Sequence, residues 1–389
     1  MDLTIHPRLL RGEIEVIPSK SQAHRYLICA AFADNPTQLR CCDTNRDIEA
    51  TADCLRALGA DIIRTESGYT VFPIRQISKT AELNCCESGS TLRFMLPIVG
   101  ALGVDATFQL EGRLPYRPLS PLWEEMERMG CILTRPSENT IRCQGKLSAG
   151  NYEISGNVSS QFITGLLFAL SLIEGKSELF ISGKIESKPY ITLTEDAMGL
   201  FQAPNYHSPG TLSVEGDWSN GAFWVAAQFL GSPLSIRGLN ACSIQGDRAI
   251  VDISHQLTEG TPTVSASDIP DLIPILSVMA AANHGGIFTD IQRLRLKESD
   301  RVATTISMVE ALGGIAEATE DTLRIYGTGL RGGTVHSHND HRIAMATAIA
   351  ATVCTEPVTI LGAEAVNKSY PKFWEEYRRL GGNYEQHIR

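Results

Sequence analysis

Eight cationic side chains and a few acids carry the chemistry this sequence could do. Lys20, Arg25, Arg93, Arg117, Lys297, Arg301, Arg342 and Lys368 stand in or just after small polar clusters, among them Ser19-Lys20-Ser21, Ser88-Gly89-Ser90, Ser159-Ser160-Gln161 and Asn339-Asp340-His341. Such clusters read as helix starts, where unpaired N–H groups and the positive end of the dipole favour a small anion. Ser, Asp and Asn there are also ordinary N-caps, and capping accounts for any one of them. Six starts, three with Arg in the first turns (Arg25, Arg93, Arg342), point further, to fixed cations gathered around anions. Asp271, Glu298 and His341 lie in the same stretches and supply groups that can take or give a proton. Arg117 sits in a loop fixed by Pro115 and Pro118, and such a loop arginine is otherwise solvated, as is a lone Lys368 at a helix start. By itself, Lys297-Glu298-Ser299-Asp300-Arg301 reads as a surface ion-pair ladder.

The elements that position these residues form a repeat. One class of helix ends in a large apolar residue and Gly: 47–59, 121–130, 191–199, 297–313 and 370–381, with 248–257 a sixth copy lacking the Gly. Glycine suits the left-handed residue that closes a helix. Three copies continue into two strands, at 61–71, 132–142 and 315–325. A second class is apolar on every side, as in 165–172 and 273–282, and such helices are buried. These start near 20, 89, 160, 219, 270 and 340, in steps of 69, 71, 59, 51 and 70. The spacing predicts six α/β units of about 70 residues, each with one core and one surface helix. The short steps fall after Gly199 and Leu257, where a pair of outer strands is expected to be missing.

Composition excludes several classes. Of 389 residues, 34 are Lys or Arg and 44 are Asp or Glu, a net charge of −10, which disfavours a nucleic-acid surface. The longest apolar run, 94–104, is broken by Pro97 and two glycines, too short for a membrane span, and the start of the chain does not read as a signal peptide. A cytoplasmic protein is expected. Ten cysteines without a C-x-x-C pair read as reduced, mostly buried thiols.

In order along the chain, these stretches resemble one family. They are Ser19-Lys20-Ser21, Glu87-Ser88-Gly89-Ser90-Thr91-Leu92-Arg93, Ser159-Ser160-Gln161, Ser187-Lys188-Pro189-Tyr190, Glu215-Gly216-Asp217, Ile269-Pro270-Asp271, Arg295-Leu296-Lys297-Glu298-Ser299-Asp300-Arg301, Asp340-His341-Arg342-Ile343-Ala344-Met345 and Lys368-Ser369-Tyr370-Pro371. Each is weak alone; together they resemble the 5-enolpyruvylshikimate-3-phosphate synthases, a family of enolpyruvyl transferases, over nearly the whole chain.

The resemblance implies an α/β fold of two similar lobes, each of three βαβαββ units: 1–18 with 216–389, and 19–215, with the active site in the cleft between them. It implies transfer of the enolpyruvyl group of phosphoenolpyruvate to the 5-hydroxyl of shikimate 3-phosphate with loss of phosphate, by a monomer needing neither metal nor cofactor. Lys20, Ser21, Arg25, Ser159, Ser160, Gln161, Ser187, Asp271 and Lys297 are expected to hold shikimate 3-phosphate. Lys20, Gly89, Arg93, Arg117, Gln161, Arg301, Arg342 and Lys368 are expected around phosphoenolpyruvate. Asp271 is the candidate base for the hydroxyl. Glu298, with Lys20 or Lys368, is the candidate for protonating the methylene, and His341 assists. At Gly89, Cβ would crowd the ligand pocket.

Two residues depart from the family pattern. Glu87 stands where many members have Asn, and Trp218 is bulkier than the residue common there. Other motifs carry less. Gly327–Gly332 matches G-x-G-x-x-G, but no helix is expected to open within it. His336, His338 and His341 lack the partners of a metal site. Related transferases acting on a nucleotide sugar carry a reactive Cys in the loop matching 111–119, which has none here. A non-catalytic relative would be expected to lose some of Lys20, Asp271, Glu298 and Lys368, and all are present; the acidic net charge disfavours a relative acting on RNA ends.

Overall fold

The computed structural model describes residues 1–387. They divide into two compact units, Pro18–Glu215 and Met1–Ile17 with Gly216–Arg389. No helix among the described residues is long and apolar enough to cross a membrane.

In the unit Pro18–Glu215 the helices are α1 (Lys20–Ala31), α2 (Arg46–Leu58), α3 (Gly89–Leu102), α4 (Leu122–Arg128), α5 (Ser160–Leu172) and α6 (Lys188–Leu200). In the other unit they are α7 (Trp218–Phe229), α8 (Ile250–Glu259), α9 (Ile273–Ala282), α10 (Arg301–Ala311), α11 (His341–Ala350) and α12 (Phe373–Arg379). The odd-numbered helices are the apolar ones, and their starts lie within three residues of the repeat positions in the sequence. Helices α3, α9 and α11 are buried almost throughout, as all-round apolar helices must be. The even-numbered helices bury one face: α2 packs Ile48, Leu55 and Leu58 inward and leaves its charges outside.

Gly59, Gly130, Gly313 and Gly381 take positive φ just after α2, α4, α10 and α12, as expected of helix-closing glycines. Gly199 does not. Helix α6 runs through it to Leu200, and the positive φ falls on Gln202, in a turn that continues to Ala203-Pro204.

Four sheets share one plan. In one, Thr80–Asn84 pairs parallel with Asp105–Gln109, which pairs antiparallel with Thr140–Gly145, which pairs antiparallel with Cys131–Ser137. The same order holds for the sheets centred on Thr37–Arg40, Gly285–Thr289 and Val358–Leu361. The N-terminal strand Asp2–His6 completes the last of these, setting Leu3 opposite Ile360 on one side and Gln386 on the other. Two sheets stop after the parallel pair: Asn151–Ser155 with Glu178–Ser182, and Gly12–Glu15 with Leu234–Arg237. These belong to the two short repeats, and what they lack is the antiparallel hairpin. The consequence is visible in packing. Ala106 and Phe108, on the strand covered by a hairpin, are fully buried, whereas Leu179 and Ile181 at the equivalent positions are only partly buried and Phe180 is 53% exposed.

Gly327–Gly332 joins the strand Thr322–Tyr326 to the strand Gly333–His336, with no helix opening at the glycines.

Candidate active site

The residues singled out in the sequence fall into two clusters, one in each unit. Both gather at the N-terminal ends of the buried helices, and both are built on real caps. Ser19, Ser88 and Ser159 accept hydrogen bonds from the N–H groups of Gln22, Thr91 and Gln161. Asp217 and Asp340 do the same for Asn220 and Arg342. The cap fixes the first turn, and Lys20, Arg93, Gln161 and Arg342 lie in the turns that follow.

In Pro18–Glu215, Arg25 is 2% exposed. Its Nη1 donates to the Ser21 carbonyl (2.6 Å), Nη2 to the Tyr190 carbonyl (2.8 Å), and Nε to Thr194 Oγ1 (2.9 Å). Burial lowers its pKa to about 10, which still leaves it charged at neutral pH. Its hydrogen-bond partners are all neutral oxygens and its guanidinium lies over the Phe94 ring, so this buried cation is fixed in place without a carboxylate partner. Ser187, which caps α6 next to these groups, has φ 55°, a left-handed backbone that serine adopts at a cost.

Beside it, Arg93 Nη1 donates to Gln161 Oε1 (3.1 Å) and Gln161 Nε2 to Ser90 Oγ (2.9 Å), tying α3 to α5. Ser159 and Ser160 flank Gln161 at the α5 start. Arg93 Nη2 also holds the Pro118 carbonyl (3.0 Å), which fixes the loop bearing Arg117. Gly89 lies between the two guanidiniums: a Cβ there would stand 2.6 Å from a terminal nitrogen of both Arg93 and Arg117. The crowding expected at Gly89 therefore arises first against the cations themselves. Lys20 Nζ pairs with Asp47 Oδ2 at 2.9 Å, a partner no motif announced. The Glu87 carboxylate packs against Gly112, in the turn before Leu114.

The cluster in the second unit is built around Asp271. Its Oδ1 receives Arg301 Nη1 (2.6 Å) and Lys297 Nζ (3.4 Å), and Oδ2 receives Arg342 Nη2 (3.3 Å). Burial alone would raise this carboxyl; Lys297, Arg301 and Arg342 outweigh it and hold Asp271 well below the usual range. Burial lowers the Lys297 pKa, against the pull of Asp271. Arg301 also binds Glu298 Oε2 (2.6 Å) and, through Nε, Asp340 Oδ2 (2.9 Å). Arg301 is 1% exposed and Asp340 is fully buried, so Lys297–Arg301 is no surface ladder. The alternation of charge instead feeds a buried network, because Asp340 and Asp271, distant in sequence, supply its counter-charges. His341 and Arg342 follow Asp340 at the α11 start, both buried. Lys368 Nζ donates to the Asn339 carbonyl (2.9 Å), next to that cap.

Trp218 packs its indole inward and donates to the Asn240 carbonyl (3.0 Å), so its bulk fills the core. Among the described residues no group of three or more His, Cys, Asp or Glu is placed to hold a metal ion. His336 and His338 pack ring against ring, with the His338 N–H donating to His336 Nδ1 (2.8 Å).

Sequence reasoning passed over Asp47, Asp340 and Asp247 as members of these networks. Asp340 carried one usable signal, its place as an N-cap directly before His341 and Arg342.

The model of the EPSP synthase family, described as 3-phosphoshikimate 1-carboxyvinyltransferase, matches residues 6–377. The 3-phosphoshikimate 1-carboxyvinyltransferase of Clostridium kluyveri is 37% identical over 421 aligned positions, covering 99% of this chain and 98% of that protein. That of Clostridium acetobutylicum is 37% identical over 419 positions, covering 98% of each. Alignments this long against a chain of 389 residues open gaps in it, in keeping with the two absent hairpins. Among solved structures, an EPSP synthase from Acinetobacter baumannii superposes with a TM-score of 0.79 at 21% identity, covering 99% of this chain and 100% of its own. The enolpyruvyl transferase NikO from Streptomyces tendae gives 0.74 at 17% identity, covering 100% and 99%. These two likenesses establish the fold.

Proposed function

The chain belongs to the EPSP synthase family, and from that premise we propose that its two clusters serve a single reaction, both holding substrate anions and the second also supplying the base. The activity is 3-phosphoshikimate 1-carboxyvinyl transfer, a transferase step of the shikimate pathway toward aromatic amino acids. The substrates of this family are phosphoenolpyruvate and shikimate 3-phosphate, each with a phosphate and a carboxylate.

Arg25, with Ser21, Ser159, Ser160, Gln161 and Ser187, receives shikimate 3-phosphate; a fixed guanidinium with only neutral partners gains a charge-assisted bond without breaking an ion pair. Lys297 and Asp271 complete that set. Arg93 and Arg117 around Gly89, with Lys20, Gln161, Arg301, Arg342 and Lys368, receive phosphoenolpyruvate.

The observation that carries this reading is the state of Asp271, gripped by three cations. In that grip it is a poor base. Substrate anions compete for Lys297, Arg301 and Arg342, and as those cations turn to the substrates, Asp271 regains proton affinity where the 5-hydroxyl must be deprotonated. The alkoxide oxygen bonds to the central carbon of phosphoenolpyruvate while the methylene takes a proton from Glu298, with Lys20 or Lys368 in the relay and His341 assisting. The tetrahedral ketal then expels phosphate and the methyl group loses a proton, restoring the vinyl. We place this enzyme in the cytoplasm, where its ten free thiols stay reduced, and take it to act as a monomer.

The test is phosphate release from phosphoenolpyruvate and shikimate 3-phosphate by the purified chain without added metal. Turnover supports the reading. No turnover with this pair, but turnover when a UDP-amino sugar replaces shikimate 3-phosphate, contradicts it.

A further inference from the structure

Close to Asp271 lies a second buried carboxyl, Asp247. Asp247 sits in the short turn Gly246–Ala249, against the first turn of α7, and is 2% exposed. Its Oδ2 receives the Ser219 hydroxyl, and its Oδ1 has no partner. The preceding Gln245 fastens the same turn to α7: its Oε1 receives the Trp218 N–H (3.1 Å) and its Nε2 donates to the Gly216 carbonyl (2.8 Å). Ser219 is not a passive neighbour. Its carbonyl receives Arg342 Nη1 at 2.6 Å, and the other terminal nitrogen of Arg342 holds Asp271. Arg342 Nε is buried and also lacks a partner.

We propose that Asp247 is a positioning residue for the carboxyvinyl transfer: it anchors Ser219, which aims Arg342, and it sets a second carboxyl behind the Asp271–Arg342 pair. The inference rests on the reading of Asp271 as the base. The charged groups that face Asp247 are Asp271, Arg342 and Asp217. Burial, then the charge of Asp271, push Asp247 up to about 7, against the hydrogen bond from Ser219 and the charge of Arg342. Asp247 therefore changes charge near neutral pH. Ionised, it draws on Arg342 and repels the charge on Asp271, and both effects make Asp271 a better base. Protonated, it leaves Asp271 in the full grip of its cations. Catalysis gains as pH rises through neutrality, with no group added to the substrate site.

The test compares Asp247→Asn with the wild type, reading kcat and KM for both substrates from about pH 5.5 to 9; the ratio of the two kcat profiles cancels the ionisations of the substrates. The expected ratio is near one at the acid end and falls about tenfold at the alkaline end, the effect of one unit of lost basicity. A ratio of one throughout, or a loss equal at all pH values, overturns the proposal, since a merely structural role has no reason to follow pH. Ser219→Ala keeps the test open if Asp247→Asn does not fold. It should raise KM for phosphoenolpyruvate severalfold through Arg342 and keep the neutral inflection in kcat; unchanged KM overturns the anchoring role. Asp271→Asn separates the two readings. If it retains wild-type kcat, the base assignment fails, whatever Asp247 does.

Discussion

The two clusters are both rich in Arg and Lys, and they differ in what faces those cations. Arg25, in the first, donates to carbonyl and hydroxyl oxygens and lies over the Phe94 ring. Arg301, in the second, meets Asp271, Glu298 and Asp340. A buried cation with neutral partners is poised for an external anion, and its energy is spent on binding. A buried cation held by carboxylates is already neutralised, and an incoming anion redistributes protons and charge. The contrast teaches that one fold repeat, a buried helix with a polar start, can leave a buried arginine among neutral partners or draw carboxylates onto it.

Substitutions can break this contrast. The largest effect is expected for Asp271→Asn, which should lower kcat by about 10²–10⁴ while the protein still folds, in steady-state phosphate release. Next, Arg301→Ala leaves Asp340 and Asp271 buried with a major counter-charge gone. It should cost about 3–5 kcal/mol in denaturant unfolding, whereas Arg25→Ala costs clearly less, because no buried anion depends on it. If the two arginines prove equally costly, the distinction between the clusters fails. In the same protein, Arg25→Ala should weaken shikimate 3-phosphate by about 1.5–3 kcal/mol, read as KM. Gly89→Ala should displace the Arg93 and Arg117 guanidiniums and raise KM for phosphoenolpyruvate about tenfold, with little change in melting temperature. The smallest effect concerns stability and pH. The folded-state pKa of Asp247 lies above its unfolded value, so the folded state binds the extra proton between about 4 and 7, and stability falls as pH rises through that window. Asp247→Asn should therefore gain stability relative to the wild type at pH 8 and gain little at pH 4, in paired thermal melts.

The architecture was legible because it repeats. Six apolar helix starts give the period, and the two short steps fall where the sheets lack their hairpins. The cations of the first cluster were legible too, since Ser-Lys-Ser and Gly-Ser-Thr-Leu-Arg put them directly after a cap. Three of the carboxylates were not. Asp47, Asp340 and Asp247 look in sequence like a helix-start acid, a cap and a turn acid. What brings them to the clusters is a partner 27 residues away in one case and 39 in another. Short-range patterns report backbone geometry; pairing across a core depends on which helix ends meet, and that is settled by packing. Gly199 shows the same limit locally. Its position matches the other helix-closing glycines, yet with no hairpin to follow, α6 continues one residue further and the chain turns at Gln202.

The most direct measurement is phosphate release at saturating phosphoenolpyruvate and shikimate 3-phosphate by Arg25→Ala and Asp271→Asn, side by side with the wild type. The assignment of Arg25 to anion holding and of Asp271 to proton transfer predicts that saturation restores most of the turnover of Arg25→Ala and none of that lost by Asp271→Asn. Equal, unrescued losses in the two variants, or wild-type turnover in Asp271→Asn, would contradict it.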